Sequence, residues 1–380
     1  MNINSTMKTL RIISRIFVGF VFIFSGFVKG VDPLGTAYRI VDYFEAYHMV
    51  WANPLSLYLS ILLCSFEFML GVLLVLNIKM KQTSWLVLLM MIFFTLVTFY
   101  DALYSPVPDC GCFGDAIKLT NWQTFYKNIV LMVFVLLIFT GRKKAIPFFN
   151  NTKEWGIITL ISVIFIWFTI YNYRNLPIIN FRPWKEGNKM LSDNPQPIKN
   201  YLIYKNKKTG EVKEYLSSEL PWQDTVWMAN WEYDTLRTEN PNISNLGSFS
   251  IVDTSGSDIT EHFVRNTEFQ FFVASYNLKT ANKEVFQKIN AFNEKAKAKG
   301  ISLIVLTGSS PDDIAKFKKE LNIPDLEFYN SDDIALKAMI RSNPGLVLLK
   351  KAVVLGQWHY RNFPDFDENK WKELEKKYIK

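Results

Sequence analysis

The sequence is poor in the side chains that most often bind metal ions. It contains only three cysteines and three histidines among 380 residues. Cys110 and Cys112 could supply half of a metal site, but such a site would need two more ligands. The histidines are His48, His262 and His359, and none of them is near the two cysteines in the sequence. We therefore expect no metal ion.

The sequence also lacks a basic stripe with interleaved aromatic residues, which is the usual mark of a nucleic-acid groove. The formal net charge is nevertheless +8. Many basic residues flank apolar runs, where they set membrane orientation, and others lie beside acidic neighbours in charge-rich segments. We therefore do not expect the protein to bind nucleic acid.

Two of the three cysteines are separated by a single glycine. Cys110 and Cys112 lie in the segment Asp109–Asp115, which reads DCGCFGD. A disulfide between them would close only a small ring, and the intervening glycine tolerates the positive φ that relieves its strain. Because strained and exposed disulfides exchange readily, the pair favours redox chemistry. A structural bridge and half of a metal site are the alternatives.

The mean hydropathy of +0.06 averages two unlike parts of the chain. Residues 1–173 are dominated by apolar runs, each near the roughly 20 residues that a membrane-spanning helix needs. The runs are Ile12–Val28, Leu55–Leu76, Trp85–Tyr104, Trp122–Thr140 and Trp155–Tyr171. Tryptophans at the ends of several runs are typical of the membrane interface. We expect a membrane all-α helical bundle with five spans, in contact with lipid.

Lysine and arginine are distributed unevenly between the two sides of these spans. The N-terminal side has Lys8, Arg11, Arg15, Lys79, Lys81, Arg142, Lys143, Lys144 and Lys153, and the opposite side has Lys29, Arg39 and Lys118. The positive-inside rule therefore predicts a cytoplasmic N-terminus in an inner (cytoplasmic) membrane. Five spans then place the residues after Tyr173 outside, with Cys110 and Cys112, in a periplasm or its equivalent, where disulfides persist.

The segment between the first two spans, Asp32–Val50, is amphipathic. Apolar residues alternate there with charged ones at helical spacing. We expect a helix that lies along the outer membrane–water interface, or else an ordinary packed loop helix.

Ionisable and amide side chains within the apolar runs need partners or a function. Glu67 lies about a dozen residues from the outer end of its span, roughly 18 Å deep at the helical rise. Arg15 lies roughly 21 Å before Lys29 by the same rise, so we predict an Arg15–Glu67 pair. Asn128 is expected to hydrogen-bond across helices or to a quinone carbonyl. Cys64 is expected to be buried and inert.

Four segments of the first 140 residues together resemble a known family of membrane proteins. They are RIFVGFVFIFSGFVKGVDP (Arg15–Pro33), FEFMLGVLLVL (Phe66–Leu76), DCGCFGD, and FYKNIVLMV (Phe125–Val133). In this order, at four-helix spacing, they resemble the DoxX-like membrane proteins, particularly the branch that contains the methylamine-utilisation protein MauE. The fifth span and the C-terminal half are additions to the four-helix core.

The resemblance implies a role in forming or relaying disulfides on the outer side of the membrane, with membrane quinone as electron acceptor. Cys110 and Cys112 would be the redox pair. The polar framework around them would consist of Arg15, Lys29, Glu67 and Asn128.

The C-terminal half alternates strand and helix patterns, which predicts a soluble α/β unit. We divide it into a β-containing linker module, residues 174–248, and a second domain, residues 249–380. The predicted elements are a hairpin over 201–216, a hairpin over 249–264 turning at Ser255–Ser257, strands over 269–275, 301–308, 345–350 and 352–360, and helices ending at Lys299, Leu321 and Tyr378.

This order resembles the thioredoxin fold, specifically its peroxiredoxin and TlpA-like branch. The resemblance places Asn277 and Thr280 at the two positions that are cysteines in that fold. Pro344 matches the loop proline of the fold, which is usually cis. Without a nucleophile, this domain is expected to bind an extended peptide rather than to perform thiol chemistry.

Two functions are consistent with these patterns. The first is a quinone-linked thiol–disulfide oxidoreductase that acts on an extracytoplasmic protein substrate. The second is a non-enzymatic envelope subunit, in which the cysteine pair is a static bridge and the cysteine-less domain docks partner proteins. Lys118, or the helix N-terminus near Asn121, is the expected source of positive charge for a reactive thiolate.

Overall fold

The computed structural model describes residues 3–107, 109–192, 199–219, 224–239 and 245–379. The chain divides into two compact units, Met1–Arg182 and Pro183–Lys380. The first is helical, and the second combines sheets and helices.

In the part of the first unit that the structure describes, there are six α-helices. They are α1 (Ile3–Val31), α2 (Pro33–Ala46), α3 (Ser56–Val75), α4 (Met80–Tyr104), α5 (Asn121–Gly141) and α6 (Asn151–Arg174). Among the described residues, five helices are long and apolar enough to cross a membrane. These spans are Thr6–Val31, Val50–Val75, Met80–Tyr104, Asn121–Gly141 and Asn151–Arg174, which confirms the prediction of a five-helix membrane part.

Glycines allow α1 and α3 to pack against each other at close range. A Cβ at Gly26 would lie 2.5 Å from the backbone nitrogen of Phe68, and one at Gly71 would lie 2.6 Å from that of Ile23. Such close contact between small residues is a common way for helices to associate in lipid. As the residue numbers rise along α1, those of the contacts on α3 fall, so the two helices are antiparallel.

The segment between α4 and α5 carries the cysteine pair, and its end is fixed by a helix cap. The Thr120 side chain accepts a hydrogen bond from Gln123 N, and Thr120 N donates one to the Gln123 side chain. This capping box satisfies two amide groups at the start of α5. The Asn121 side chain also donates to Val107 O at 3.2 Å, which holds the two ends of the segment together.

The described residues of the second unit form two sheets. An antiparallel sheet has the order β2–β1–β3, with β1 (Lys199–Asn206), β2 (Val212–Leu216) and β3 (Trp231–Glu239). A five-stranded sheet has the order β6–β5–β4–β7–β8, with β4 (Gln270–Ala274), β5 (Ser302–Thr307), β6 (Glu327–Asn330), β7 (Gly345–Lys350) and β8 (Val353–His359). Strands β4, β5 and β6 are parallel, whereas β7 and β8 are antiparallel to their neighbours.

Helix α7 (Thr225–Asn230) packs against the three-stranded sheet through Trp227, which contacts the rings of Tyr204 and Tyr215. The five-stranded sheet is covered by α8 (Thr260–Val264), α9 (Glu284–Lys297), α10 (Pro311–Leu321), α11 (Asp333–Met339) and α12 (Glu368–Tyr378). Phe271 on β4, Phe286 on α9 and Trp371 on α12 are all fully buried in one apolar cluster. The predicted mixture of sheet and helix is confirmed.

The structure differs from the sequence prediction at two places in this unit. The hairpin expected over residues 249–264 is wrong in its second half, which is the helix α8 after a single bridge between Val252 and Asp258. Strand β6 was not predicted. Its four residues, Glu327–Asn330, are mostly polar, and they form a strand only because they pair with the edge of β5.

Candidate functional site

A buried ion pair joins α1 to α3. Lys29 Nζ lies 2.8 Å from each carboxylate oxygen of Glu67, and both side chains are more than nine-tenths buried. The hydroxyl of Ser25 accepts from Lys29 at 3.1 Å and lies 2.9 Å from Glu67 Oε2. A buried charge pair of this kind is tolerated because each charge has its own hydrogen-bonding partners.

The predicted Arg15–Glu67 pair is wrong. Glu67 is paired with Lys29, and the Arg15 guanidinium lies 5.5 Å from the ring of Phe148, in the segment after α5. The prediction assumed that two residues at the same depth, counted from the ends of their spans, lie side by side. In the structure, the glycine contacts set the register of α1 against α3, and that register brings Lys29 rather than Arg15 beside Glu67.

The same network reaches the cysteine loop through Ser25. The hydroxyl of Ser25 lies 2.8 Å from the carbonyl oxygen of Cys112, so its single proton is shared between that carbonyl and Glu67. The buried ion pair therefore anchors the backbone of Cys112 to α1.

Helix α2 holds the loop from its other side. Arg39 donates to Asp109 Oδ2 at 2.7 Å, and Asp109 Oδ1 accepts from Gly111 N at 3.0 Å. Gly111 has a φ of +63°, and a Cβ there would lie 3.0 Å from Arg39 Cγ. Glycine is therefore required between the cysteines both for the backbone conformation and for contact with α2.

A small, partly open cavity lies beneath the loop, between α1, α3, α4 and α5. Its polar lining consists of Ser25, Lys29, Glu67, Cys112, Lys127 and Asn128. Phe22, Met91, Phe94 and Leu131 supply apolar walls. Three of the four predicted framework residues thus meet at Cys112, whereas Arg15 and Cys110 are not among the described residues that line the cavity.

The amide of Asn128 is fixed by α4. Its Nδ2 atom donates to Thr98 Oγ1 at 3.1 Å and lies 3.4 Å from Phe94 O. This is the predicted cross-helix hydrogen bond, at a position that also borders the cavity.

The two thiols are free, partly exposed and chemically unequal. The Cys110 thiol donates a hydrogen bond to Cys112, and this bond, together with the charges of Lys127 and Lys29, lowers the pKa of Cys112 to about 6. The same hydrogen bond, with burial, raises the pKa of Cys110 well above its usual value. Cys112 is therefore the thiolate at neutral pH, and Cys110 retains its proton.

The cation responsible differs from the one expected at this site. Lys127, one residue before Asn128, lies 4.5 Å from the ring centroid of Phe113 and borders the cavity. Lys118, which the sequence suggested, is an exposed residue of the loop.

We expect Lys127→Met to raise the pKa of Cys112 by at least about one unit, because an opposite charge nearby typically shifts a pKa by one to three units. The measurement is the rate of Cys112 alkylation between pH 4 and pH 9 in purified protein. In the unaltered protein we expect this alkylation rate to rise as the pH increases through about 6, because the Cys112 thiolate forms there. Lys118→Met is the matched control and leaves the pH midpoint of alkylation unchanged. Equal pH midpoints in all three proteins would contradict the role of Lys127.

A second buried carboxylate lies on the α2 side of the loop. Asp101, near the end of α4, is fully buried, and the Tyr43 hydroxyl donates to its Oδ2 atom at 2.6 Å. Burial, followed by the nearby Cys110 charge and the bond to Asp101, raises the pKa of Tyr43.

In the second unit, the three positions singled out by the thioredoxin resemblance lie together. Asn343 Nδ2 donates to Asn277 O at 2.8 Å and to Thr280 Oγ1 at 3.1 Å. Asn343 Oδ1 accepts from Ser275 at 2.9 Å. The following Asn343–Pro344 peptide bond is cis, as predicted. Asn277 and Thr280, at the positions where the resemblance would put two thiols, are thus held by hydrogen bonds between uncharged groups.

Four residues of the site were not selected from the sequence. They are Ser25, Tyr43, Asp101 and Lys127. Lys127 and Asp101 carried the same signal as Glu67, an ionisable side chain within or at the edge of an apolar run, which by default marks a functional position. Ser25 and Tyr43 carried no comparable signal, since their roles depend on neighbours distant in the sequence.

The fold and this site define a multi-pass membrane protein in which a cysteine pair covers a polar cavity among apolar helices, followed by a unit of mixed sheet and helix. Residues 7–141 match the family model described as Methylamine utilisation protein MauE. The match extends from α1 through the cysteine loop to the end of α5, which supports the predicted resemblance for the membrane part. No curated protein and no solved structure matches the chain.

Proposed function

We propose that the protein is a quinone-linked thiol–disulfide oxidoreductase of the membrane. The observation that carries the proposal is that Cys112, whose pKa is lowered to about 6, lines a cavity that also contains Lys29, Lys127 and Asn128. A reactive thiolate beside a partly apolar cavity is the arrangement that electron transfer from a dithiol to a membrane-soluble acceptor requires.

The lining of the cavity offers the chemistry that a quinone head group needs, a cation and an amide among apolar side chains. In the described part of the chain Lys127 has no ion-pair partner, so its ammonium group is available to donate to a carbonyl oxygen. Phe22, Phe94 and Met91 provide apolar walls. A bound quinone would supply a two-electron, two-proton acceptor.

The residues of the chain have separate tasks in the proposed cycle. A substrate thiolate attacks the Cys110–Cys112 disulfide, and a second substrate thiolate resolves the mixed disulfide. Two electrons thereby reduce the pair and leave a substrate disulfide. Lys127 and Lys29 stabilise the Cys112 thiolate that results. When the pair closes again, Cys110 loses its proton as the sulfur–sulfur bond forms, and both electrons pass to the acceptor.

The uneven lysine and arginine distribution supports an outward-facing cysteine pair in an inner (cytoplasmic) membrane, with a cytoplasmic N-terminus and a periplasmic second unit. The strand order β6–β5–β4–β7–β8, three parallel strands followed by two antiparallel ones, supports a degenerate thioredoxin-like domain for that unit. In this role it would present an extracytoplasmic protein substrate.

The decisive test is thiol trapping of Cys110 and Cys112 in intact cells with a membrane-impermeant maleimide, with and without a quinone pool. We expect a disulfide that becomes reduced when quinone is depleted and returns when quinone is restored. Buried Cys64 serves as the internal control, because it should stay unlabelled throughout.

A pair that remains oxidised whatever the quinone content would overturn the enzyme function. The second candidate, an envelope subunit that docks partner proteins, would then be favoured. The hydrogen bonds of Asn343 to Asn277 and Thr280 support that candidate, since they show a thiol-free surface fixed by neutral groups.

A further inference from the structure

The two sides of the cysteine pair differ in chemistry. Cys112 borders the cavity, while α2 covers the loop on the other side. Arg39 contacts Gly111 and Asp109 from α2, and Tyr43 lies one helical turn further along the same face. Arg39 thus contacts both sequence neighbours of Cys110, and this places the face of α2 that carries Tyr43 against the Cys110 side of the loop.

Asp101 extends this contact into the protein. Its Oδ2 atom accepts the short hydrogen bond from Tyr43, and its Oδ1 atom is buried without a hydrogen-bond partner among the described residues. Keeping an ionised carboxylate buried with one partner is costly, and accepting a proton removes that cost. The chain thus provides a proton acceptor beside the cysteine that carries a proton.

We propose that Tyr43 and Asp101 form a proton relay that deprotonates Cys110 when the disulfide closes. The Cys110 proton passes to the Tyr43 oxygen, while the Tyr43 proton passes to Asp101 Oδ2. The Cys110 sulfur then attacks Cys112 Sγ, whose bond to the departing group breaks, and the bonding pair leaves with that group. Asp101 and Tyr43 are positioning and proton-transfer residues, distinct from the cavity that serves the acceptor.

The inference rests on the proposed function only in that the pair must cycle between dithiol and disulfide, and it is tested without quinone. Reduced full-length protein in detergent is mixed with the aromatic disulfide 5,5′-dithiobis(2-nitrobenzoate). The Cys112 thiolate attacks the reagent and releases one coloured thiolate. Closure by Cys110 releases the second. The two phases report the two cysteines separately, and Cys110→Ser calibrates the first alone.

We expect Asp101→Asn and Tyr43→Phe to slow the second phase about 10²-fold at pH 7, the lower end of general acid–base contributions, with the first phase unchanged. The difference in second-phase rate between each variant and the unaltered protein decreases as the pH rises, because hydroxide then deprotonates Cys110 directly. Glu45→Gln is the matched control: it removes an exposed carboxylate of α2 and leaves both phases unchanged. Asparagine preserves an acceptor for Tyr43, and Tyr43→Phe tests the relay with Asp101 intact.

A second phase within twofold of the unaltered rate in both variants would overturn the relay and leave the proposed function standing. Equal slowing of both phases would also overturn it, since the substitutions would then act on the whole loop. An unaltered protein that releases only one coloured thiolate cannot close the pair, and that result would overturn the proposed function and the relay together.

Discussion

Glu67→Gln lowers the free energy of unfolding of the helical unit by about 3–5 kcal/mol, the usual cost of removing one partner of a buried ion pair. The Lys29 ammonium would stay buried without an opposite charge. Its remaining contacts would be neutral: the glutamine amide oxygen, the Ser25 hydroxyl and the Phe94 ring, 5.6 Å away. The loss is measured by equilibrium unfolding in mixed micelles.

Two control variants separate the ion pair from a general effect of charge. Lys29→Met combined with Glu67→Gln removes both charges, and we expect it to recover most of the lost stability, because no uncompensated charge remains. Asp42→Asn breaks the exposed pair with Arg39 and is expected to cost no more than about 1 kcal/mol. A cost below about 1 kcal/mol for Glu67→Gln would show that the pair does not hold α1 to α3.

Cys112→Ser and Cys110→Ser each abolish electron flow from a reduced protein substrate, by several orders of magnitude, as the removal of a nucleophile does. The two variants differ in their remaining thiol. Cys110→Ser keeps the Cys112 thiol, whose pKa is lowered by the charges of Lys127 and Lys29. Cys112→Ser keeps only the Cys110 thiol, for which these charges do not outweigh the effect of burial on the pKa. Cys110→Ser should therefore accumulate a mixed disulfide with substrate at neutral pH, and Cys112→Ser should not.

The measurement is non-reducing electrophoresis after a substrate in its disulfide form is added to the reduced variant. The remaining protein thiolate attacks the substrate disulfide, and the other substrate sulfur leaves as a thiolate. Cys64→Ser is the control that retains full activity. Cys64 is fully buried, so its thiol is out of reach of a protein substrate. Mixed disulfides that form equally at both positions would contradict the inequality of the two thiols. Retention of activity in Cys112→Ser would remove the basis of the enzyme function.

Local patterns in the sequence were sufficient for the membrane helices, for several elements of the second unit and for the cysteine pair. Long apolar runs predict membrane helices because lipid provides no hydrogen-bonding partners, so the backbone of such a run must form its hydrogen bonds within a helix. Pro311 at the start of α10 and the apolar run Gly345–Lys350 of β7 were predicted with their observed bounds, since each depends mainly on nearby residues. The close spacing of Cys110 and Cys112 likewise needed no tertiary information.

The sequence by itself therefore determined that this protein has five helices able to span a membrane, a mixed second unit and a closely spaced cysteine pair between two of the helices. The tertiary structure alone decided which charges meet. The contact of Gly26 with Phe68 sets the register of α1 against α3, and that register, rather than depth counted along each span, pairs Glu67 with Lys29. Asp101 meets Tyr43 for the same reason: partners 58 residues apart are chosen by helix packing, which no local pattern encodes.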